Sequence, residues 1–264
     1  MMYLPIAVKN LGITLENILT SMPTPPVYKL QYFDRIAQLY RQLGLGEFLM
    51  SNDMTMYCHH LNCGIQAYCE FLQHAPEAEK ACSHVQVFYD AICVNNRHAM
   101  TELATLAPRV VNARKEYDED FMCLRILMDY FALEKSTDDV APHMAQYETL
   151  QAQQPDPRFA LLQALLTRNV SSFQDALTPL IDAQIAAYQD GGDLYAGTQE
   201  TAVILSNISS EIIAWLRLAK HQRMPVQDDY LLAPSSAFSD CPVTRLPSQA
   251  WLKLESYRSL PRTR

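Results

Sequence analysis

The densest group of side chains able to do chemistry is Cys58-His59-His60 together with Cys63. Cysteine thiolates and imidazoles are zinc ligands, so the group raises the question of a structural metal site. The spacing argues against one. Cys58 and Cys63 stand five residues apart, where structural sites use two to four. On a helix, Cys63 shares a face with His59 and with His60, while Cys58 faces away from His60. No second compact Cys/His pair follows to complete four ligands, and Cys82 and His84 are close in number only. The expectation is core cysteines beside solvated or hydrogen-bonded histidines, with no metal and no cofactor.

A second group is acidic: Glu116, Asp118, Glu119 and Asp120. Paired carboxylates can do acid–base work when apolar surroundings raise one of the two pKa values. On a helix only Glu116 with Glu119, or Glu116 with Asp120, would approach each other. No apolar pocket can be read around them, so a solvated helix face is expected, and the group could also meet a basic partner. Ser209 and Ser210 beside Glu211 lack the flanking glycines and preceding strand of a nucleophile elbow. There is no Gly-rich phosphate loop, dinucleotide fingerprint or HExxH. No catalytic residue is assigned, and the chain is not expected to be an enzyme.

Arg217, Lys220, His221 and Arg223 gather at a helix end, where cations complement the macrodipole. A nucleic-acid patch would need aromatic or further basic company that the neighbouring sequence lacks. Trp215, inside an apolar run, reads as core rather than as a binding anchor.

The elements that must position these groups read as helices throughout. A short mixed opening ends in Pro23, Pro25 and Pro26. A helix from Tyr28 is expected to stop at Gly44 and Gly46. Asn52 or Asp53 caps the next, whose stripe Tyr57, Leu61, Ile65, Tyr68 and Leu72 runs to Pro76. Pro76 is expected to open a further helix with Glu77 and Glu79 in its first turn, broken near Asn95 and Asn96. Glu116 to Glu134 is helical, and Asp138 or Asp139 caps a segment from Val140. Helices through Phe159 and from Ser172 to Gln189, joined by a tight turn, must form an antiparallel hairpin. Asp190-Gly-Gly-Asp193 stops that hairpin. Thr198 then precedes a single long helix, and beyond Pro225 the chain is irregular, with one short helical candidate from Trp251 to Tyr257.

The expected fold class is therefore all-α, with antiparallel hairpins stacked in one domain and a repeat-like arrangement possible. The expected divisions are an N-terminal layer over residues 1–110, a helical region over 111–240 and a tail over 241–264, together making one compact unit. Scarce glycine (7 residues) and 15 prolines between periodic segments suit helices better than sheets. A chain of 264 residues can bury a substantial core without disulfides or metal. Its formal charge of −8 disfavours non-specific attachment to nucleic acid or anionic membrane, and is compatible with a basic protein partner. Seven cysteines, an odd number mostly inside apolar stretches, read as unpaired small hydrophobes. With no signal peptide or membrane span recognised, the expected location is the cytoplasm.

The C-terminal half resembles the immunity protein 49 family of bacterial polymorphic-toxin systems. Three features carry the resemblance. They are the helical pair RFALLQALLTRNVSSFQDALTPLIDAQ from Arg158 to Gln184, the leucine-rich helix ending SEIIAWLRLAKHQRMPV, and the closing DDYLLAPSSAF from Asp228 to Phe238. The likeness covers residues 110 to 240, and the first hundred residues share only their helical character. His221-Gln-Arg-Met stands where related chains often place Gly. The resemblance implies an all-helical protein that binds a cognate toxin of a type VI or Rhs-type system, without catalysis or cofactor. The partner would be a toxin domain, expected to be basic. Self-association is left open.

For such a partner the candidate contacts are Glu116, Glu119, Asp120, Asp138, Asp139, Asp190, Asp193, Asp228 and Asp229. Each is also explicable as a cap or a solvated turn. Two other functions fit the same residues: a helical-repeat scaffold for several protein partners, and a metal-dependent enzyme using His59, His60 and Cys63.

Overall fold

A computed structural model describes residues 3–24, 26–152, 155–189, 198–227, 229–239, 241 and 246–254. Among these the chain is helical throughout, and its only strand-like feature is a single bridge between Tyr230 and Ala233. The first helix, α1 (Leu4–Thr20), replaces the mixed opening expected from sequence. Pro5 sits in its first turn, where a missing N–H costs nothing. Ala7, Val8, Leu11 and Leu15 form its buried stripe.

The second helix, α2 (Leu30–Ser51), runs straight through Gly44 and Gly46 and ends instead at Asn52, which adopts φ 56°. The glycines are crossing points rather than stops. A Cβ on Gly44 would lie 3.1 Å from the Tyr57 carbonyl, and one on Gly46 would lie 2.5 Å from Val8 Cγ2. Close approach at these crossings offsets a propensity cost of about 1 kcal/mol per glycine. The antiparallel partner is α3 (Met54–His74), capped by Asp53, whose carboxylate accepts from the N–H groups of Thr55 and Met56. The pairing of α2 with α3 is the most extensive in the fold.

After Pro76 only the 3-10 turn Glu77–Glu79 forms, not the expected helix. It buries no residue, and so has no apolar face to hold it. The chain becomes helical again at α4 (Val87–Cys93), which is wholly buried. Asn95 at φ 52° and the Asn96 cap separate α4 from α5 (Arg97–Leu106), at the expected break.

The helix α6 (Asp118–Leu127) passes into a π-turn, Met128–Ala132. Ser136, rather than Asp138 or Asp139, caps α7 (Thr137–Gln151), with Asp139 closing a reciprocal capping box. The helices α8 (Pro157–Thr167) and α9 (Val170–Gln189) form the expected hairpin around Arg168.

The expected single helix after Thr198 is two: α10 (Gln199–Leu205) and α11 (Ser210–His221). Ser209 breaks it by capping α11 with its side chain, while its N–H donates to the Leu232 carbonyl at 2.8 Å. By length and composition the stretch Gln199–His221 could span a membrane, but it is divided in this way and mostly buried.

Beyond α11 the chain makes two 3-10 turns, Ser235–Phe238 and Ala250–Leu252. The second replaces the expected helix from Trp251 to Tyr257, whose last three residues lie outside the described ones. Trp251 is fully buried, and Tyr40 donates to its carbonyl at 2.6 Å. One continuous apolar cluster runs from Val8 to Trp251. Cys58 and Cys241 are joined by a disulfide, against the expectation of unpaired cysteines, and the other five cysteines form no disulfide and are buried. The partners lie 183 residues apart, and no local spacing announces the pair.

Candidate functional site

The acidic run before and within α6 comes to lie beside the α8–α9 hairpin and the start of α11. Between them is an open cleft of about 560 Å³, lined by Glu116, Asp120 and Glu211 and by Arg41, Lys115, Arg158 and His84. Each charge arrives for a local reason. Glu116 precedes α6 and is not helical. Its Oε2 accepts from the Ser83 N–H at 2.7 Å and its Oε1 from the Asn112 N–H at 2.8 Å. Glu116 therefore clamps two loops, a correction to the solvated helical pair expected from sequence. Asp120 stands in the first turn of α6 with Asp118 and Glu119, where carboxylates complement the dipole.

Arg158 follows the Asp156 cap and Pro157 into the first turn of α8. Its Nη2 donates to Asp120 Oδ1 at 2.7 Å and to Asp156 Oδ2 at 2.6 Å. Glu211 occupies the first turn of α11, and its Oε2 accepts from Gln184 Nε2 of α9 at 2.7 Å. Arg41, from α2, donates through Nε to both oxygens of buried Asp90, at 2.8 and 2.9 Å.

These pairings set the sign of the cleft. Each lining cation has a carboxylate behind it, Arg41 with Asp90, Lys115 with Glu79 and Arg158 with Asp156, and Arg158 also pairs with Asp120 of the lining itself. Counted with Asp90, Glu79 and Asp156 behind it, the carboxylates in and around the cleft outnumber its three cations, so its surroundings are net acidic. Burial pushes the Glu211 carboxyl above its ordinary value, with Arg158 and Trp215 only partly offsetting it. Burial also acts upward on Asp156, but the hydrogen bonds and charge of Arg158 prevail and hold it below the usual carboxylate value. The hydrogen bond that the His84 ring donates to Asp34 raises its pKa, and its Nδ1 is 3.5 Å from Asp34 Oδ2. The lining thus combines carboxylate acceptors with the apolar side chains of Leu180, Leu205 and Ile208. Such a lining can bind a partner that carries both charged and apolar groups.

Of the acids singled out in the sequence, Glu116 and Asp120 meet at this cleft, and Glu119 shares Asp120's helical turn. Asp138 and Asp139 are exposed at the start of α7 and do not line it. Asp229 accepts from the Ser235 N–H at 2.8 Å and serves a turn. Asp190, Asp193 and Asp228 lie outside the described residues. Sequence reasoning passed over Arg41, Arg158 and Glu211. A carboxylate at the head of the otherwise apolar SEIIAWL was the available signal for Glu211. Arg41 and Arg158 carry no comparable mark.

The Cys58-His59-His60-Cys63 group is dispersed by its pairings. Cys58 is committed to Cys241, and Cys63 Sγ lies 3.6 Å from His59 Nε2. Among the described residues no three His, Cys, Asp or Glu side chains are placed to hold a metal ion.

Comparison with known families gives a match to immunity protein 49 over residues 46–237. No curated protein and no solved structure matches the chain. The matched span begins well before residue 110, where the sequence likeness was first legible, and takes in α3, α4 and α5. It also contains every charged lining residue of the cleft except Arg41.

Proposed function

The chain belongs to the immunity protein 49 family, and from that premise we propose that it neutralises one cognate toxin by stoichiometric binding, with the acidic cleft seating a basic group of that toxin. Membership carries the immunity role in a toxin system and points away from catalysis. The observation that carries the finer reading is that the lining acids Glu116, Asp120 and Glu211 are joined by Asp90, Glu79 and Asp156 behind the three lining cations, an excess of carboxylates around one cleft. Such a field speeds encounter with a positive active-site surface and penalises wrong partners. The apolar wall of Leu180 and Ile208 supplies area for the hold. We take the toxin to be a basic domain delivered by a type VI or Rhs-type system, and the immunity protein to act in the cytoplasm of the protected cell.

The test is co-expression with the toxin encoded beside it. A one-to-one complex is expected by calorimetry, together with survival of the producing cell. Glu211→Lys combined with Asp120→Lys should weaken the complex at least tenfold and abolish protection, with helicity retained in circular dichroism. Protection that persists with no detectable complex would falsify occlusion. A complex indifferent to the charge reversals would move the contact surface away from the cleft.

A further inference from the structure

The opposite end of α11 has the opposite character. A pocket of about 270 Å³ opens there, and its polar lining comes from Arg97, Arg217, Lys220, His221 and Asn95. Among the described residues no aspartate or glutamate lines it. Among the described residues none of the three permanent cations forms an ion pair with a carboxylate, in a chain whose formal charge is −8. Lys220 Nζ stands 4.3 Å and Arg217 Cζ 5.9 Å from the centroid of the Phe238 ring, so both cations lie against one aromatic wall. Arg97 touches the His221 ring directly.

Completion of the helix dipole explains Lys220 and His221, which sit in the last turn of α11. It does not explain Arg97. That residue is the first of α5, where the dipole is positive and a cation is disfavoured, and the first turn of α5 contains no acid. Nor does it explain Arg217, whose Nη2 is spent on the carbonyls of Ala237 and Ser239 while its buried Nε has no partner. Three cations without a carboxylate partner among the described residues therefore converge on one small cavity. Bringing like charges together costs free energy that a bound anion would recover. The floor beneath them is apolar.

We propose that this pocket is an anion site for a phosphoryl group, formed by Arg97, Lys220 and Arg217, with Phe238 and the floor accepting an apolar body attached to that group. The phosphoryl donor is either free phosphate or a small organic phosphate monoester. The site is separate from the acidic cleft and does not rest on the toxin-binding reading.

The test is calorimetric titration of the intact protein with inorganic phosphate and with phenyl phosphate, at constant ionic strength set with sodium chloride. One saturable site is expected, accompanied by a rise in Tm. Arg97→Gln with Lys220→Gln should weaken binding at least tenfold, while Glu211→Gln at the other end of α11 leaves it unchanged. Phenyl phosphate binding about tenfold tighter than phosphate, with the gain lost in Phe238→Ala, identifies an organic monoester; equal affinities identify free phosphate. Should the double variant fail to fold, Lys220→Gln alone, at an exposed side chain, carries the same comparison. Absence of saturable binding in the unaltered protein, or binding that the variants leave intact, overturns the proposal.

Discussion

Arg158 and Asp120 meet at 2.7 Å across the junction of α8 and α6, and the same guanidinium nitrogen reaches Asp156 at 2.6 Å. Tyr147 completes the set by donating its hydroxyl to Asp156 Oδ2 at 2.6 Å. Removing the arginine leaves a nearly buried carboxylate without its cation, a change that typically costs about 3–5 kcal/mol in a dry interior and less here, where Arg158 is partly exposed. Arg158→Ala is expected to lose about 2–3 kcal/mol in urea denaturation at neutral pH. A loss below about 0.5 kcal/mol would place the network at the level of ordinary surface pairs.

The pH dependence of stability should divide between two carboxyls. Asp156 is held below its ordinary value, so its contribution is present above the unfolded aspartate pKa of about 3.9 and is lost as pH falls through its lower folded value. Glu211 is raised, so the folded state binds its proton more tightly, and stability declines as pH rises from about 4.3 toward its folded value. Denaturation of Glu211→Gln across pH 4 to 8 should therefore show a flatter decline than the parent protein. Parallel curves would remove Glu211 as the source.

His84 should titrate above an ordinary histidine, because Asp34 accepts from its ring and Glu116 adds negative charge nearby. Its stabilising contribution is complete below the unfolded value of about 6.5 and disappears as pH rises through the folded one. A proton NMR titration should show the displaced midpoint, moving back toward 6.5 in Asp34→Asn.

The thiols offer a simple count. In denaturant without reductant, five cysteines should react with a thiol reagent, and all seven after reduction. The disulfide closes a loop of 183 residues, for which chain entropy alone allows about 5 kcal/mol and measured bridges typically give 2–4 kcal/mol. Cys241→Ser and reduction of the parent protein should lower Tm by similar amounts. Seven reactive thiols before reduction would show that the bond is not formed.

Helical class and most helix positions were legible because apolar residues recur every three or four positions, as on α3 and in the α8–α9 hairpin. What escaped depends on partners distant in sequence. Gly44 and Gly46 look like stops until Tyr57 and Val8 are seen pressed against them. Glu116 reads as a surface acid until the N–H groups of Ser83 and Asn112 turn to meet it. The basic end of α11 lacks company in the local sequence because Arg97 and Phe238 arrive from either side, separated from it by intervening chain. Of the charged lining of the cleft only Glu116 and Asp120 were singled out in advance, since a lone arginine such as Arg41 carries no mark of the aspartate it will find.

The seat of Trp251 has a consequence measured in time. Its ring lies 5.7 Å from that of Phe33, and its carbonyl takes the Tyr40 hydroxyl across 211 residues of sequence. At ribosomal rates of about 5–20 residues per second, α2 emerges roughly 10–40 seconds before the tryptophan that covers it. Throughout that interval the nascent helices lack the ring that covers one face of Phe33 and the carbonyl that takes the Tyr40 hydroxyl. Synthesis therefore imposes a waiting period on the half-made protein, during which that uncovered surface is open to association with its neighbours.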